Sequence, residues 1–330
     1  MRKIKTLTPK SFFRTASLVL SVMHLIGCST IFEDRSDCPE GFRIHFRYDY
    51  NLKNANAFAS EVKKINLYVF DNNGKFYDSY SEKGDVLKDE SYFMTPSIAS
   101  GTYKMIAIGG NEDDKSFITS NLIKGETNYN DFIMTLNTTN DTINYEISPL
   151  WHGMLSSQDV TGGYQVVKFP LIKNTNMIRV NLLQKKGELN VNDFVFELKI
   201  PDKITGYDNS IICEDTVVYK PFTWGQKFMI TDIGEGGSAY ASFHCSRITE
   251  DSGSKVIVYK KADGSRIFDI DLNRLISEYR MEKYSHWSLQ EYLDKQDEYT
   301  FTFILDENLN WLDMELIING WVVRNNHDEI

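Results

Sequence analysis

The chain lacks a surplus of basic charge. It carries 36 Lys and Arg against 46 Asp and Glu in 330 residues, a formal net charge of −10. Nucleic acids and anionic lipid surfaces are held by basic patches, so recognition of either through charge is excluded. It also lacks a membrane span. The apolar run from Ala16 to Ile26 is shorter than the roughly 20 residues a spanning helix needs, and no other segment is apolar enough to cross. Cysteine is scarce: Cys28, Cys38, Cys213 and Cys245, none spaced as zinc requires. Beyond residue 27 the histidines are His45, His152, His244, His286 and His327, with no i, i+4 pair for a helical metal site. No G-x-S-x-G elbow and no P-loop occurs. Gly109-Gly110-Asn111 and Gly234-Glu235-Gly236-Gly237 read as turns, not phosphate cradles. Asp71-Asn72-Asn73-Gly74 lacks the alternating acids and closing glutamate of a calcium loop. These absences point away from an enzyme and imply no cofactor or metal.

What is present begins at the N-terminus. Arg2, Lys3, Lys5, Lys10 and Arg14 precede the apolar run, with no acid among them. A basic n-region, a short apolar h-region and a small residue at the cut site mark an export signal over residues 1–27. Its end, Leu25-Ile26-Gly27-Cys28, resembles the lipobox of bacterial lipoproteins. That resemblance implies cleavage between Gly27 and Cys28 and acylation of Cys28. Each buried CH₂ of the acyl chains contributes about 0.8 kcal/mol of membrane affinity. Removing residues 1–27 takes the charge from −10 to −15, because five bases and no acids leave. Residues 28–38 form a short polar tether, and Glu33 and Asp34 behind the lipid site resemble a surface-export signal of Bacteroidetes lipoproteins. With Cys28 lipidated, three cysteines remain. Cys213 and Cys245 either bridge or stand as isolated buried thiols, and Cys38 is unassigned.

From Phe42 the pattern is mostly period two, as half-buried strands require: Phe42, Ile44 and Phe46 alternate with Arg43, His45 and Arg47. Ala55 to Lys64 is a short helical candidate. Strands are expected over residues 65–70, 105–108, 143–147, 166–171, 178–182, 194–198, 256–259 and 267–270. Hairpin turns are expected at Asp71 to Gly74 and at Ala262 to Ser265. Leu272, Leu275, Ile276 and Tyr279 switch to helical spacing, and Ser288 with Glu291 forms a capping box. Two strands, Tyr299 to Leu305 and Met314 to Arg324, close the chain. The polar, glycine-rich stretch 156–163 is the expected linker between an N-terminal sandwich, 39–155, and a C-terminal one, 164–330. Many short strands with regular turn signals give an all-β chain of two β-sandwiches with short helical insertions.

Five stretches taken in order resemble the fimbrillin-A-associated anchor proteins of Bacteroidetes, minor or anchor subunits of type V fimbriae. They are the lipobox and tether through Asp37-Cys38-Pro39; Tyr48 to Ala59 with Leu67 to Asp71 and Gly74 to Phe76; Gly101 to Asn111 with Trp151-His152-Gly153; Leu171 to Val180; and Glu291 to Asp294, the Tyr299 to Asp306 strand and Ile318 to Trp321. Residues 201–253 match least distinctly. The resemblance implies two tandem transthyretin-like sandwiches. It further implies an outer-membrane lipoprotein at the surface-exposed base of a fimbria, partnered by shaft subunits that join through donated β-strands. It carries over no catalytic site.

Strand donation rests on backbone hydrogen bonds for affinity and alternate side chains for register. Leu316, Ile318, Trp321 and Val323 of the last strand are the candidate partner contact. The competing reading is an internal closing strand, because strands ordinarily pair within their own domain. A rival function is a surface lipoprotein that binds glycans. For that, Trp151, Trp224, Trp287, Trp311 and Trp321 are candidate platform residues, although tryptophans in sandwiches more often pack the core or rim.

Overall fold

Alternation sets the first strand. In β1 (Phe42–Arg47) the aromatic and aliphatic positions are buried in turn while the intervening bases face outward. The computed structural model describes residues 41–113, 115–184, 187–213, 215–231, 234–278, 280, 282–318 and 321–323. Gly27, Cys28 and Cys38 lie outside the described residues.

After β1 come α1 (Phe58–Glu61), β2 (Lys64–Phe70), β3 (Phe76–Lys83), β4 (Gly101–Gly110), β5 (Phe117–Thr119), β6 (Ile133–Leu136) and β7 (Thr142–Ile143). Then follow β8 (Leu150–Val160), β9 (Gln165–Pro170), β10 (Ile172–Lys173), β11 (Thr175–Gln184), β12 (Phe194–Pro201), β13 (Ile204–Gly206), β14 (Ile211–Cys213) and β15 (Thr216–Tyr219). The rest is β16 (Thr223–Thr231), β17 (Gly234–Ser246), β18 (Lys255–Lys260), β19 (Arg266–Asp271), α2 (Leu272–Glu278), α3 (Leu289–Lys295), β20 (Glu298–Leu305), β21 (Trp311–Ile318) and β22 (Trp321–Val323). The fold is all-β with short helices.

The strands form five sheets, ordered β1-β9, β10-β8-β4-β2-β3, β16-β17-β11-β20-β21-β22, β19-β18-β12-β15-β7 and β14-β13-β6-β5. β1 pairs with β9 in parallel. At the centre of the six-stranded sheet, β11 runs antiparallel to β17 and parallel to β20.

Two apolar cores result. The smaller gathers Ile44 and Phe46 of β1, Leu67 and Val69 of β2, Met105 and Ala107 of β4, Trp151 and Phe169. The larger gathers Ile178, Val180 and Leu182 of β11 against Phe196, Leu198 and Ile200 of β12, and adds Phe301 and Phe303 of β20. It also takes in Ile106 and Ile108 of β4. β4 is therefore buried on both faces, which explains the unbroken apolar run Met105 to Ile108 where half-buried strands alternate. The described residues make one compact unit.

Local chemistry explains the turns. Asp71 Oδ1 accepts from the backbone N–H of Asn73 at 2.8 Å and Lys75 at 2.9 Å, and Gly74 takes a positive φ of 75°. Asp263 Oδ1 accepts from the N–H of Ser265 at 2.9 Å in the second hairpin, beside Gly264 at φ 68°. Ser288 caps α3 by accepting from the Glu291 N–H at 3.0 Å.

Three expectations need correction. Residues 156–160, read as linker, are the end of β8, which pairs with β4. Ser156, Ser157 and Asp159 are exposed there, which accounts for the polarity, whereas Val160 is buried. Gly234-Glu235-Gly236-Gly237, read as a turn, opens the longest strand of the described residues, β17. A Cβ on Gly237 would meet the Glu188 Cα at 2.8 Å, so the glycine serves close backbone packing. The closing strand, expected as one piece from Met314 to Arg324, is two strands, β21 and β22, that pair antiparallel.

Candidate functional site

The described histidines each pack against separate partners. His45 packs on Phe93, His152 is buried with its Nε2 2.9 Å from the Tyr207 carbonyl oxygen, His244 faces Glu146, and His286 packs on Trp287. Among the described residues no group of three or more His, Cys, Asp or Glu is placed to hold a metal ion. Asp202, Tyr219 and Ser246 bond one another, but all three are buried and face no cleft. Burial pushes the Asp202 carboxyl up to about 7. Cys213 and Cys245 are free thiols, so the bridge held open from the sequence is absent; Cys245 lies wholly within the larger core and Cys213 at the end of β14.

Among the described side chains, the tryptophans do not assemble into one platform. Trp151 is core, edge-on to Tyr48. Trp287 stacks on Tyr284 and lies beneath the Lys295 ammonium at 3.9 Å. Trp311 packs edge-on against Phe303. Trp224 stands exposed on β16. Trp321 is placed by its backbone alone.

The six-stranded sheet offers two edge strands, β16 and β22. At one end of the six-stranded sheet, Leu316 pairs with Phe301 and Val323, and Ile318 with Tyr299 and Trp321. The four expected contact residues thus lie in a hairpin already paired to its own sheet, whose outer strand is three residues long. Their side chains lie outside the described residues.

At the other end is β16, nine residues long and, among the described residues, paired only to β17. Sequence reading did not single it out, although Trp224, Gln226, Phe228 and Ile230 sit at a spacing of two and so share one face. Trp224 is 59 % exposed, Phe228 67 % and Ile230 76 %. Beside that face lie two hollows. One, about 410 Å³, is lined by Asn192, Phe194, Phe196, Lys220, Trp224 and Lys261. The second, about 370 Å³, is lined by Gly187, Glu188, Leu189, Lys227 and Phe228. Between them Gln226 Oε1 accepts from the Val191 N–H at 3.1 Å, holding the 187–196 segment along the strand.

The sequence profile of the family described as fimbrillin-A associated anchor proteins Mfa1 and Mfa2 matches residues 35–327. A crystal structure described as an adhesin from Bacteroides thetaiotaomicron is 33% identical, with a TM-score of 0.77, covering 89% of this chain and 100% of that one. Another from the same species, described as polysaccharide binding, is 30% identical with a TM-score of 0.75, covering 87% and 98%. The fimbrial anchor protein Mfa2 from Porphyromonas gingivalis shares the fold at 18% identity, with a TM-score of 0.64 over 87% and 99% of the two chains. No curated protein sequence matches. The chain belongs to the fimbrillin-A associated anchor protein family.

Proposed function

We propose that this protein is the lipid-anchored base of a fimbria, acylated at Cys28 in the outer membrane and joined to the first shaft subunit by β-strand complementation. Family membership with two open edges on one sheet carries the reading. A sheet edge presents unpaired N–H and C=O groups, and an extended segment from a neighbour satisfies them. The role is structural, not catalytic. We read the two cores as two transthyretin-like sandwiches in tandem. The C-terminal hairpin, with Leu316, Ile318, Trp321 and Val323, offers the short edge and β16 the long one.

The test is a Cys28→Ala strain with export verified. Fimbrial subunit on the cells is compared with that shed into the medium, beside wild type. Movement of fimbriae from cell to medium is expected. An unchanged distribution would sink the anchor reading.

A second reading has one observation in its favour. Trp224 stands beside Asn192 in an open hollow, an arrangement suited to stacking a sugar ring and bonding its hydroxyls. Loss of oligosaccharide binding in Trp224→Ala, with fimbriae retained by Cys28→Ala cells, would favour it.

A further inference from the structure

We infer that the outer edge of β16 is the strand-accepting edge: it takes an extended segment of the fimbrial shaft subunit, with two bulky apolar side chains four residues apart seated in the two hollows. The inference rests on the fimbrial reading above and deepens it.

The edge is built as one that expects cover. Native sheets protect exposed edges with charges, proline, bulges or very short strands. β16 has none of these along its outward apolar face. It is nine residues long, contains no proline, pairs with β17 without a register shift, and displays Trp224, Phe228 and Ile230. Its opposite face is partly covered. Gly225 leaves room for the Tyr240 ring, and the Lys227 ammonium lies 5.9 Å from that ring's centre. The apolar face is the one turned toward the 187–196 segment, and it is left unfilled.

The spacing of the hollows describes the occupant. Trp224 lines one and Phe228 the other, four residues apart, or roughly 13 Å along a strand. A strand laid beside β16 repeats that period, so its i and i+4 side chains meet the two hollows while backbone bonds set the register. Charge narrows the choice further. The lining of the first hollow includes Lys220, which also bonds Glu197 at 2.5 Å, and Lys261, but no carboxylate. The second carries Glu188, while the Lys227 ammonium is turned to the opposite face. An acidic residue in the donated segment therefore belongs at the Trp224 end. A second copy of this chain is disfavoured by its negative net charge, which repels self-association.

The test replaces Phe228 with a photoreactive benzoylphenylalanine in the full lipoprotein on fimbriated cells. Irradiation is expected to crosslink position 228 to the shaft subunit, identified by mass spectrometry. In parallel, Phe228→Glu with Ile230→Glu is expected to lower cell-bound fimbriae by about tenfold or more, as hot-spot loss at an interface does. Both side chains are largely exposed, so the thermal midpoint of the purified protein should stay unchanged and separate loss of docking from loss of fold. A crosslink only to a second copy of this chain overturns the inference. So does full fimbrial retention by the double variant. If Cys28→Ala cells shed their fimbriae while the double variant keeps them, the joint lies elsewhere and the anchor reading stands. If neither sheds, the anchor reading itself falls. Loss of oligosaccharide binding by Trp224→Ala with no shaft crosslink assigns the hollow to a glycan instead.

Discussion

Arg247 grips Asp294 by a two-point fork: Nε donates to Oδ1 at 2.7 Å and Nη2 to Oδ2 at 2.9 Å. Its Nη1 donates to the Asn209 carbonyl oxygen at 2.9 Å, and the Asn209 side chain exchanges amide bonds with Asn174, at 2.5 and 3.0 Å. This chain of polar groups fastens α3 to the segment between β13 and β14, and that segment to the junction between β10 and β11. Planar, bidentate pairing is what arginine supplies and lysine does not.

Asp294→Ala should destabilise the protein by about 3–5 kcal/mol, because it strands a mostly buried guanidinium. Urea unfolding monitored by tryptophan fluorescence reads the loss. A midpoint equal to wild type would mean that the fork adds nothing net.

Two buried groups oppose each other in pH. Burial pushes Asp202 up to about 7 from 3.8, and pushes His152 down to about 4 from 6.5. The Asp202 contribution is full below about pH 4, where folded and unfolded forms are both protonated, and is lost as pH rises to about 7. The His152 contribution is full above about pH 6.5 and is lost as pH falls toward 4. Asp202→Asn should therefore turn the stability profile upward with pH between these limits, and His152→Gln should turn it downward. Each change amounts to about 4 kcal/mol at about 1.4 kcal/mol per pKa unit. Urea midpoints at both ends of the window check the signs; parallel profiles for both variants would refute the assignment.

Glycines rank by what surrounds them. A Cβ on Gly110 would lie 2.0 Å from the Pro149 carbonyl oxygen at a φ of 79°, whereas Gly125 has φ 75° in open space and Gly163 has open space without positive φ. Alanine there should cost about 3, about 1 and about 0 kcal/mol respectively, combining overpacking with left-handed strain. Thermal melts of the three variants give the order, and a Gly110→Ala protein as stable as Gly163→Ala would overturn it.

The free thiols differ in access. Cys245 is fully buried, and burial raises its pKa well above the ordinary range; Cys213 is only partly covered. Native alkylation should label Cys213 and spare Cys245 until urea unfolds the chain. Recovery of a Cys213–Cys245 linked peptide without reductant would contradict the structure.

Much of the fold was legible because local chemistry agreed with it. Phe42, Ile44 and Phe46 announce β1, Asp71 and Gly74 their turn, and Ser288 its helix. β17 was hidden because Gly237, Ala239 and Ala241 are chosen for close approach and give no apolar alternation. β21 ends at Ile318 and β22 begins at Trp321, within a stretch whose apolar residues continue on either side. The β16 edge was in plain view as Trp224, Phe228 and Ile230. Alternation does not say, however, whether a strand's apolar face is covered by its own chain. That depended on where the 187–196 segment stops.

If Cys28 holds the chain at the membrane, as proposed, the parallel pairing of β1 with β9 has a mechanical consequence. Tension from a membrane-held terminus would enter at Phe42, the first residue of β1, while β9 leads out of Pro170 toward the larger core. In a parallel pair these two ends lie at opposite extremities of the ladder. A tug along the strands shears every rung together and does not peel them one by one. The geometry suits a tether that must hold against drag.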